Sequence, residues 1–336
     1  MQDSLARQEA SSAKFGRGWY LISWSADLGP GEVKPLRYFG KNYVLYRGED
    51  GQATLLDAHC PHLGAHLGYG GRVEGNDIIC PFHAWQFGAS GRCTAVPYAS
   101  RIPPRAAIRA YPLREHSGMI LGYFGPKDSE PDYEVPVIEE LDDPAWTPME
   151  RAHIEIATHP REVIENVADL AHFMPVHNTL IDDFKVIIDG PRATQHSVGR
   201  GHNLKGEPIP VVSVATYHGP AIQFTRLAWA YDMVLINAHI PIEENQLLLR
   251  FGVTLKAGVG VTLPPQVLEA HVAAARDGYF QDVAIWENKC WRDRPIFADG
   301  DGPIGEIRKW YASFYEDAPT AESGSPHSEE RPAASA

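Results

Sequence analysis

Four residues on two short segments have the types and the spacing to hold iron and sulfur. Cys60-Pro61-His62 is followed, after seventeen residues, by Cys80-Pro81-Phe82-His83. Two thiolates and two imidazoles suit a [2Fe–2S] cluster with both cysteines on one iron and both histidines on the other. Replacing two thiolates by neutral imidazoles raises the reduction potential above that of an all-cysteine cluster. Tetrahedral zinc accepts the same four donors and is the rival reading. Zinc fingers, however, pair Cys with Cys and His with His, whereas each segment here supplies one of each. Pro61 and Pro81 stiffen the two segments, and Gly64, Gly68, Gly70 and Gly71 permit close backbone approach. Residues 72–79 read as a hairpin turning at Glu74-Gly75-Asn76-Asp77, and Trp85 and Phe87 would cover the cluster with apolar surface.

A second set of donors lies further along, in Glu165-Asn166-Val167-Ala168-Asp169-Leu170-Ala171-His172-Phe173-Met174-Pro175-Val176-His177. On a helix starting near Pro160, Asp169 and His172 share a face, whereas His172 and His177 are separated by roughly 140°. Pro175 lacks an N–H and clashes with the carbonyl four residues back, so a kink or helix end there would swing the two histidines together. A histidine pair on a half-buried helix is more often packed than metal-bound. A redox cluster nevertheless needs a recipient for its electron, and a mononuclear Fe(II) held by two histidines and one carboxylate is the expected one. The carboxylate is sought in a long helix that begins after Pro264-Pro265 and runs to about residue 289. There Asp282 is framed by Tyr279 and Trp286, with Asp277 the competing acid; a surface acid or ion-pair partner is the plain alternative for Asp282. Glu165 and Asp169 are candidates for groups that orient the ligand histidines.

The elements that must position these donors fall into two regions. Before residue 150 the chain reads as β throughout, with short runs at 19–25, 33–39, 42–47, 53–57, 92–97, 110–115 and 119–124 separated by Gly, Pro and Asp. Pro35 makes the second run an edge strand at best. Residues 127–150 are acidic and proline-rich and read as a linker. Beyond them, strands are expected at 153–157, 211–217, 221–231, 233–240 and 246–255, and a further helix at 304–315. Residues 317–336 carry Ser, Pro, Ala and Glu without an aromatic residue and read as a disordered tail. With 336 residues, two domains are the simplest organisation.

Composition narrows the class. The formal net charge is −13, from 30 basic and 43 acidic residues, and no basic cluster suggests a nucleic-acid partner. Four cysteines in this length make no disulfide framework, so Cys93 and Cys290 read as free thiols of a reducing compartment. No signal segment and no apolar run long enough to span a bilayer is evident, so a cytoplasmic protein is expected.

The combined pattern Cys60-x-His62-x₁₇-Cys80-x₂-His83, then Asp169-x₂-His172-x₄-His177, then Asp282, resembles the catalytic subunit of Rieske non-haem iron oxygenases. The resemblance covers roughly residues 16–315. It implies an α+β fold: an all-β Rieske [2Fe–2S] domain (16–126), the 127–150 linker, and a helix-grip catalytic domain (151–316) in which helices cover one side of an antiparallel sheet. Ala65 and Phe82 occupy the positions where respiratory Rieske proteins carry an extra disulfide, which favours the oxygenase branch. Ala84-Trp85 replaces the Gly-Ser of high-potential members, which implies a comparatively low potential. Gly16-Arg17-Gly18-Trp19-Tyr20, Val96-Pro97-Tyr98-Ala99, His239-Ile240-Pro241-Ile242, Asp282-Val283-x-Ile285-Trp286 and Asp301-Gly302-Pro303-Ile304 resemble the oxygenase components of 3-ketosteroid 9α-hydroxylases. Sterol C7-desaturases share much of this layout. Pro61 and Ala84 depart from the 9α-hydroxylase pattern.

The resemblance also implies roles and partners. Cys60, His62, Cys80 and His83 would ligate the cluster, and His172, His177 and Asp282 the mononuclear Fe(II). A ferredoxin or a flavin-dependent, NADH-linked ferredoxin reductase would supply electrons, O₂ would be co-substrate, and a hydrophobic steroid-like molecule would be the substrate. In a head-to-tail homotrimer, Asp169 would bridge His83 of one chain and His172 of the next. Steroid-ring hydroxylation, most directly at C9 of a 3-ketosteroid, is the expected reaction. C7 desaturation, oxygenation of another hydrophobic or aromatic substrate, and a Rieske electron carrier are the alternatives.

Overall fold

The structure, a computed structural model, describes residues 15–127 and 129–315. The expected tail at 317–336 lies outside the described residues.

The first region is built from strands alone apart from one short 3₁₀ turn. They are β1 (Gly18–Trp24), β2 (Val33–Tyr38), β3 (Lys41–Arg47), β4 (Ala53–Asp57), β5 (Arg72–Glu74), β6 (Asp77–Ile79), β7 (Gln86–Phe87), β8 (Cys93–Ala95), β9 (Ala110–Tyr111), β10 (Leu113–His116) and β11 (Met119–Phe124). Three small sheets result, ordered β1-β11-β10, β2-β3-β4-β9 and β5-β6-β7-β8. β2 lies at an edge, where Pro35 leaves no ladder bond unmade. The 72–79 hairpin closes as read, with Glu74 opposite Asp77 and Gly75 at φ 58° in its turn.

The second region is a seven-stranded antiparallel sheet, ordered β12-β18-β17-β16-β15-β14-β13. Its strands are β12 (Glu150–Ile156), β13 (Leu180–Asp189), β14 (Arg192–His202), β15 (Pro208–His218), β16 (Ile222–Ala228), β17 (Asp232–Glu243) and β18 (Gln246–Leu255). The helices are α1 (Pro160–Ile164), α2 (Phe173–His177), α3 (Pro265–Phe280), α4 (Val283–Asn288) and α5 (Ile304–Ala312). β17 is buried on both sides and alternates between two cores. Val234, Ile236, Ala238 and Ile240 join Trp19, Tyr20 and Phe39 of the first region, while Met233 and Leu235 join Leu268, Val272 and Tyr279 of α3. Helices therefore cover one face of the sheet and the first region covers the other.

The seam between regions is fixed by a buried arginine. Arg250 donates from Nη1 to the Leu21 carbonyl at 2.9 Å, and from Nη2 to the Ile22 carbonyl and the Tyr38 hydroxyl, both at 2.8 Å. A buried charge of this kind is tolerable because its fork is satisfied. Residues 127–150 are not a loose connection: Val135, Ile138 and Ala145 are buried, and the Tyr133 hydroxyl accepts from the Trp19 backbone N–H at 3.0 Å.

Two expectations for the helices need correction. The long helix does not run unbroken to residue 289 but divides at Gln281 and Asp282 into α3 and α4. Nor does Pro175 kink a helix. The segment after Pro160 forms α1, a 3₁₀ turn at Glu165–Val167, and then α2, which starts only at Phe173. Pro175 thus falls in the first turn, where a missing N–H costs no bond.

Candidate metal centres

The two cluster segments fold into matching loops. In each, the carbonyl of the cysteine accepts from the backbone N–H four residues on: Gly64 to Cys60 at 2.9 Å, and Ala84 to Cys80 at 3.0 Å. The fifth position takes left-handed backbone in both, at φ 78° for Gly64 and 57° for Ala84. The Cys60 and Cys80 backbone N–H groups donate to Ala65 and Trp85 carbonyls at 2.9 and 2.8 Å. This pseudo-symmetry brings the two cysteines, both 2% exposed, together beneath the two histidines. The His62 and His83 rings lie 4.6 Å apart at 70°.

These residues fit a cluster. His62 Nδ1 is buried with no hydrogen-bond partner, an orphan that a ligated iron satisfies. Burial pushes the Cys60 thiol up to about 11, and the neighbouring Cys80 adds to the rise, so metal must displace a proton from Cys60 on loading. Trp85 caps the site on one side, stacked on His62 at 4.7 Å with planes 5° apart, and donates from Nε1 to the Tyr98 hydroxyl at 2.8 Å. Around the histidines, Leu63, Tyr69, Phe82 and Tyr98 form an exposed apolar rim.

The second centre forms where α2 meets the α3–α4 break. His172 flanks the start of α2 and His177 ends it, with Asn178 in left-handed backbone stopping the helix. The two rings stand 5.1 Å apart at 79°. Asp282, at the N-cap of α4, makes no capping bond, so its carboxylate is free to point at the histidines; Oδ2 is 3.4 Å from His177 Nε2. One ligand atom from each of His172, His177 and Asp282 lies within 4.8 Å of the others, a grouping suited to a two-histidine, one-carboxylate site. Asp277 is turned to the surface against Arg276, at 2.8 Å.

Each histidine is aimed by its other ring nitrogen. His172 Nδ1 meets the Asp169 main-chain carbonyl at 2.7 Å, and the Asp169 carboxylate accepts from the His172 backbone N–H at 3.2 Å. His177 Nδ1 meets Gln281 Oε1 at 2.9 Å, which leaves Nε2 facing Asp282. Gln281 was not singled out from sequence, and nothing but its place beside Asp282 marks it. Burial opposes charge on His177, but the Asp282 and Gln281 hydrogen bonds outweigh it and raise its pKa. Burial likewise opposes charge on Asp169, and contacts with His172 outweigh it, leaving the carboxyl below its usual value. Glu165 does not orient a histidine. Its carboxylate binds Lys289 Nζ at 2.9 Å and Arg308 Nε at 2.5 Å.

Under this centre, the helix-facing side of the sheet carries polar side chains in an apolar field. Gln195, Tyr217, Gln223, Asn237 and His239 share that face by strand register. Asn237 Nδ2 donates to Gln223 Oε1 at 3.0 Å. Three buried atoms, Gln195 Nε2, Asn237 Oδ1 and His239 Nε2, have no partner among the described residues. Orphaned polar atoms facing a site are costly unless a ligand or water meets them.

Comparison with known proteins agrees with this geometry. Residues 18–112 match the Rieske [2Fe–2S] domain family, and residues 122–315 match the 3-ketosteroid 9α-hydroxylase C-terminal domain family. A probable 3-ketosteroid-9-alpha-monooxygenase oxygenase component of Rhodococcus rhodochrous is 35% identical, the alignment covering 90% of this chain and 81% of that protein. Cholesterol 7-desaturase of Xenopus laevis is 31% identical, over 90% of this chain and 72% of that protein. Among solved structures, dicamba monooxygenase bound to dicamba superposes with a TM-score of 0.72 at 17% identity, over 89% of this chain and 96% of that one.

Proposed function

The chain belongs to the Rieske oxygenases whose catalytic domain is of the 3-ketosteroid 9α-hydroxylase type, and from that premise we propose a terminal oxygenase that hydroxylates a steroid ring, most directly C9 of a 3-ketosteroid. The observation that carries the chemistry is the presence, in one chain, of a Cys60/His62/Cys80/His83 nest with both cysteines buried and a His172/His177/Asp282 triad. The substrate class is carried by the names of relatives 30–35% identical over most of the chain.

The cofactors are a [2Fe–2S] cluster, which supplies single electrons, and a mononuclear iron, which supplies oxygen activation. Cys60 and Cys80 would hold the buried iron of the cluster and His62 and His83 the outer one. His172, His177 and Asp282 would hold the mononuclear iron and leave positions on its other side for O₂. Asp169 and Gln281 fix the imidazoles so that only one nitrogen of each can turn to the metal. The apolar sheet face suits a flat multi-ring body, whose burial is favoured by roughly 25 cal/mol per Å². The orphaned Gln195 amide is placed to donate to a ring carbonyl oxygen, and His239, pushed down to about 4 by burial, is neutral at pH 7.

Electrons would come from a separate reductase or ferredoxin, in keeping with the relatives' description as oxygenase components. A head-to-tail homotrimer is the assembly we favour. Apolar side chains are exposed at both centres: Leu63, Phe82 and Tyr98 around the cluster, and Met174, Leu180 and Ile285 around the triad. Such paired patches are what a heterologous, ring-closing interface would cover.

The test is turnover of a 3-ketosteroid by the iron-loaded protein with a surrogate reductase. A product gaining one oxygen atom supports hydroxylation, and iron in excess of acid-labile sulfide supports a second, mononuclear site. A sterol product that loses hydrogen at C7 would instead support the desaturase reading that the Xenopus relative favours. Turnover of small aromatics alone, with no steroid accepted, would overturn the substrate class and leave the iron chemistry standing.

A further inference from the structure

A separate cleft of about 360 Å³ opens on the far side of α1, between that helix, α5 and the segment after α4. Its volume is within the range of small-molecule pockets. The Trp291 indole is its centrepiece. The Arg161 guanidinium lies over that ring at 4.3 Å and the Arg308 guanidinium at 3.9 Å, while the indole N–H donates to Asp293 at 2.7 Å.

The two arginines differ in how far they are satisfied. Arg308 donates from Nε to Glu165 and from Nη1 to the Arg292 carbonyl at 2.6 Å. Arg161 makes no side-chain hydrogen bond among the described residues: its Nε is buried without a partner, and its nearest acid, Glu162, is 3.6 Å away and engaged by Lys289 at 2.9 Å. A guanidinium held 4.3 Å from an indole centroid, with one ion pair at 3.6 Å and no side-chain hydrogen bond among the described residues, keeps donors for a planar anion. The lining also carries two carboxylates, Glu165, which Lys289 and Arg308 hold, and Glu244, and it has an apolar side. Ile164 and Ile307 are buried apolar side chains, and the Tyr311 and Tyr315 hydroxyls stay protonated because burial raises both phenols.

We propose that this cleft is a second ligand site that takes a small amphipathic carboxylate, its carboxylate on the Arg161 fork and its apolar body against Ile164, Ile307 and the edge of Trp291. The site is coupled to the iron centre by a short route. Glu165 joins Arg308 to Lys289, and Lys289 follows directly on α4, whose N-cap is Asp282. A carboxylate that also engages Arg308 competes with Glu165 and loosens that clamp. The proposal does not depend on the steroid reading.

Isothermal titration of the full chain, cluster loaded, with sodium 4-phenylbutyrate tests it. Saturable binding is expected, weakened ten-fold or more by Arg161→Gln and lost in Ala312→Trp, which fills the cleft without altering charge. Arg72→Gln, on the distant hairpin, should bind as the parent does. An unchanged visible cluster spectrum in each variant reports that the fold survives. The proposal is overturned by absence of binding, by equal binding of 4-phenyl-1-butanol, by equally tight inorganic phosphate, or by indifference to both cleft variants. A heat of binding says nothing about turnover, so failure here and failure of the oxygenase reading are separate results.

Discussion

The indole of Trp85 lies parallel to the imidazole of His62, centroids 4.7 Å apart and planes within 5°. His62 Nδ1 is the buried, unpartnered nitrogen of that ring, so the stack fixes the direction in which it can ligate. Tyr98 in turn holds Trp85 through its hydroxyl, although Tyr98 itself is 63% exposed.

Trp85→Leu should therefore loosen a ligand without removing it. The visible absorption of the cluster should bleach several-fold faster under chelator than in the parent, and the electron paramagnetic resonance signal should broaden. Tyr98→Phe, which deletes one part-buried hydrogen bond but leaves the stack, should have a smaller effect. Equal bleaching rates in all three proteins would exclude a positioning role for the stack.

At the second centre the equivalent post belongs to Gln281. Loss of a group that orients a metal-bound imidazole typically costs 10–100-fold in metal affinity. Gln281→Leu should lower mononuclear iron occupancy by about that factor, with the cluster spectrum intact. Asp277→Asn, one helical turn earlier and with its side chain paired to Arg276, is the matched control and should keep its iron.

The loop before α5 reaches the same centre from behind. The Leu170 backbone N–H donates to the Asp301 carbonyl at 3.1 Å, and Gly302, at φ 87°, packs so closely that a Cβ would stand 2.1 Å from the Ala168 carbonyl. Gly302→Ala combines that clash with left-handed strain of roughly 1–2 kcal/mol. Displacement of 168–170 should shift His172 and reduce iron content measured by chelation assay, again without changing the cluster.

What could be read from sequence was what chemistry restricts. The cluster loops, their hairpin and the edge strand at Pro35 stood out because ligand types, turn residues and a missing N–H leave few options. β13 and β14 did not stand out. β14 alternates faithfully, yet the residues it buries are Ala193, Gln195, Ser197, Gly199 and Gly201, so no hydrophobic period was visible. Those small and polar residues face the helix side of the sheet, under the histidine–aspartate centre, where a uniform apolar stripe is absent. The α3–α4 break was hidden for a different reason: no proline or glycine stands at Gln281 or Asp282, and only tertiary packing divides the helix there. Asp282 still stood out as a candidate, since an acid framed by Tyr279 and Trp286 on a packed helix needs a partner whatever the helix register.

Stability should fall on mild acidification. His218 is 9% exposed, and burial, with Arg192 and Arg226 nearby, pushes its pKa down to about 4; burial does the same for His239. In the unfolded chain both titrate near 6.5. Between those values the unfolded state binds the extra protons, so stability present above pH 6.5 is lost as pH falls toward 4. Each imidazole contributes up to about 1.4 kcal/mol per pH unit in that window. Denaturant titrations of His218→Gln and the parent at pH 7 and 5.5 should show a shallower acid loss in the variant. Parallel losses would mean that His218 is protonated in the folded state.

Asp169 offers the sharpest test of the assembly. Its main-chain carbonyl, not its carboxylate, makes the close contact with His172 Nδ1, at 2.7 against 3.7 Å, and the side chain is 30% exposed. The carboxylate is thus left partly exposed beside His172, where His83 of a neighbouring copy would reach it in the head-to-tail trimer proposed above. Asp169→Asn keeps the size and the main-chain carbonyl but removes the charge. If Asp169 joins the two centres, both metal sites should fill, the cluster should still be reduced by its partner, and reoxidation of the cluster with substrate and oxygen should slow by orders of magnitude. If its work is confined to holding His172, iron occupancy should drop and the remaining fraction should turn over normally. Rapid mixing separates the two, because the first outcome is read in the cluster's rate at full iron and the second in iron content at an unchanged rate. Near-parental reoxidation at full iron would exclude Asp169 as the bridge.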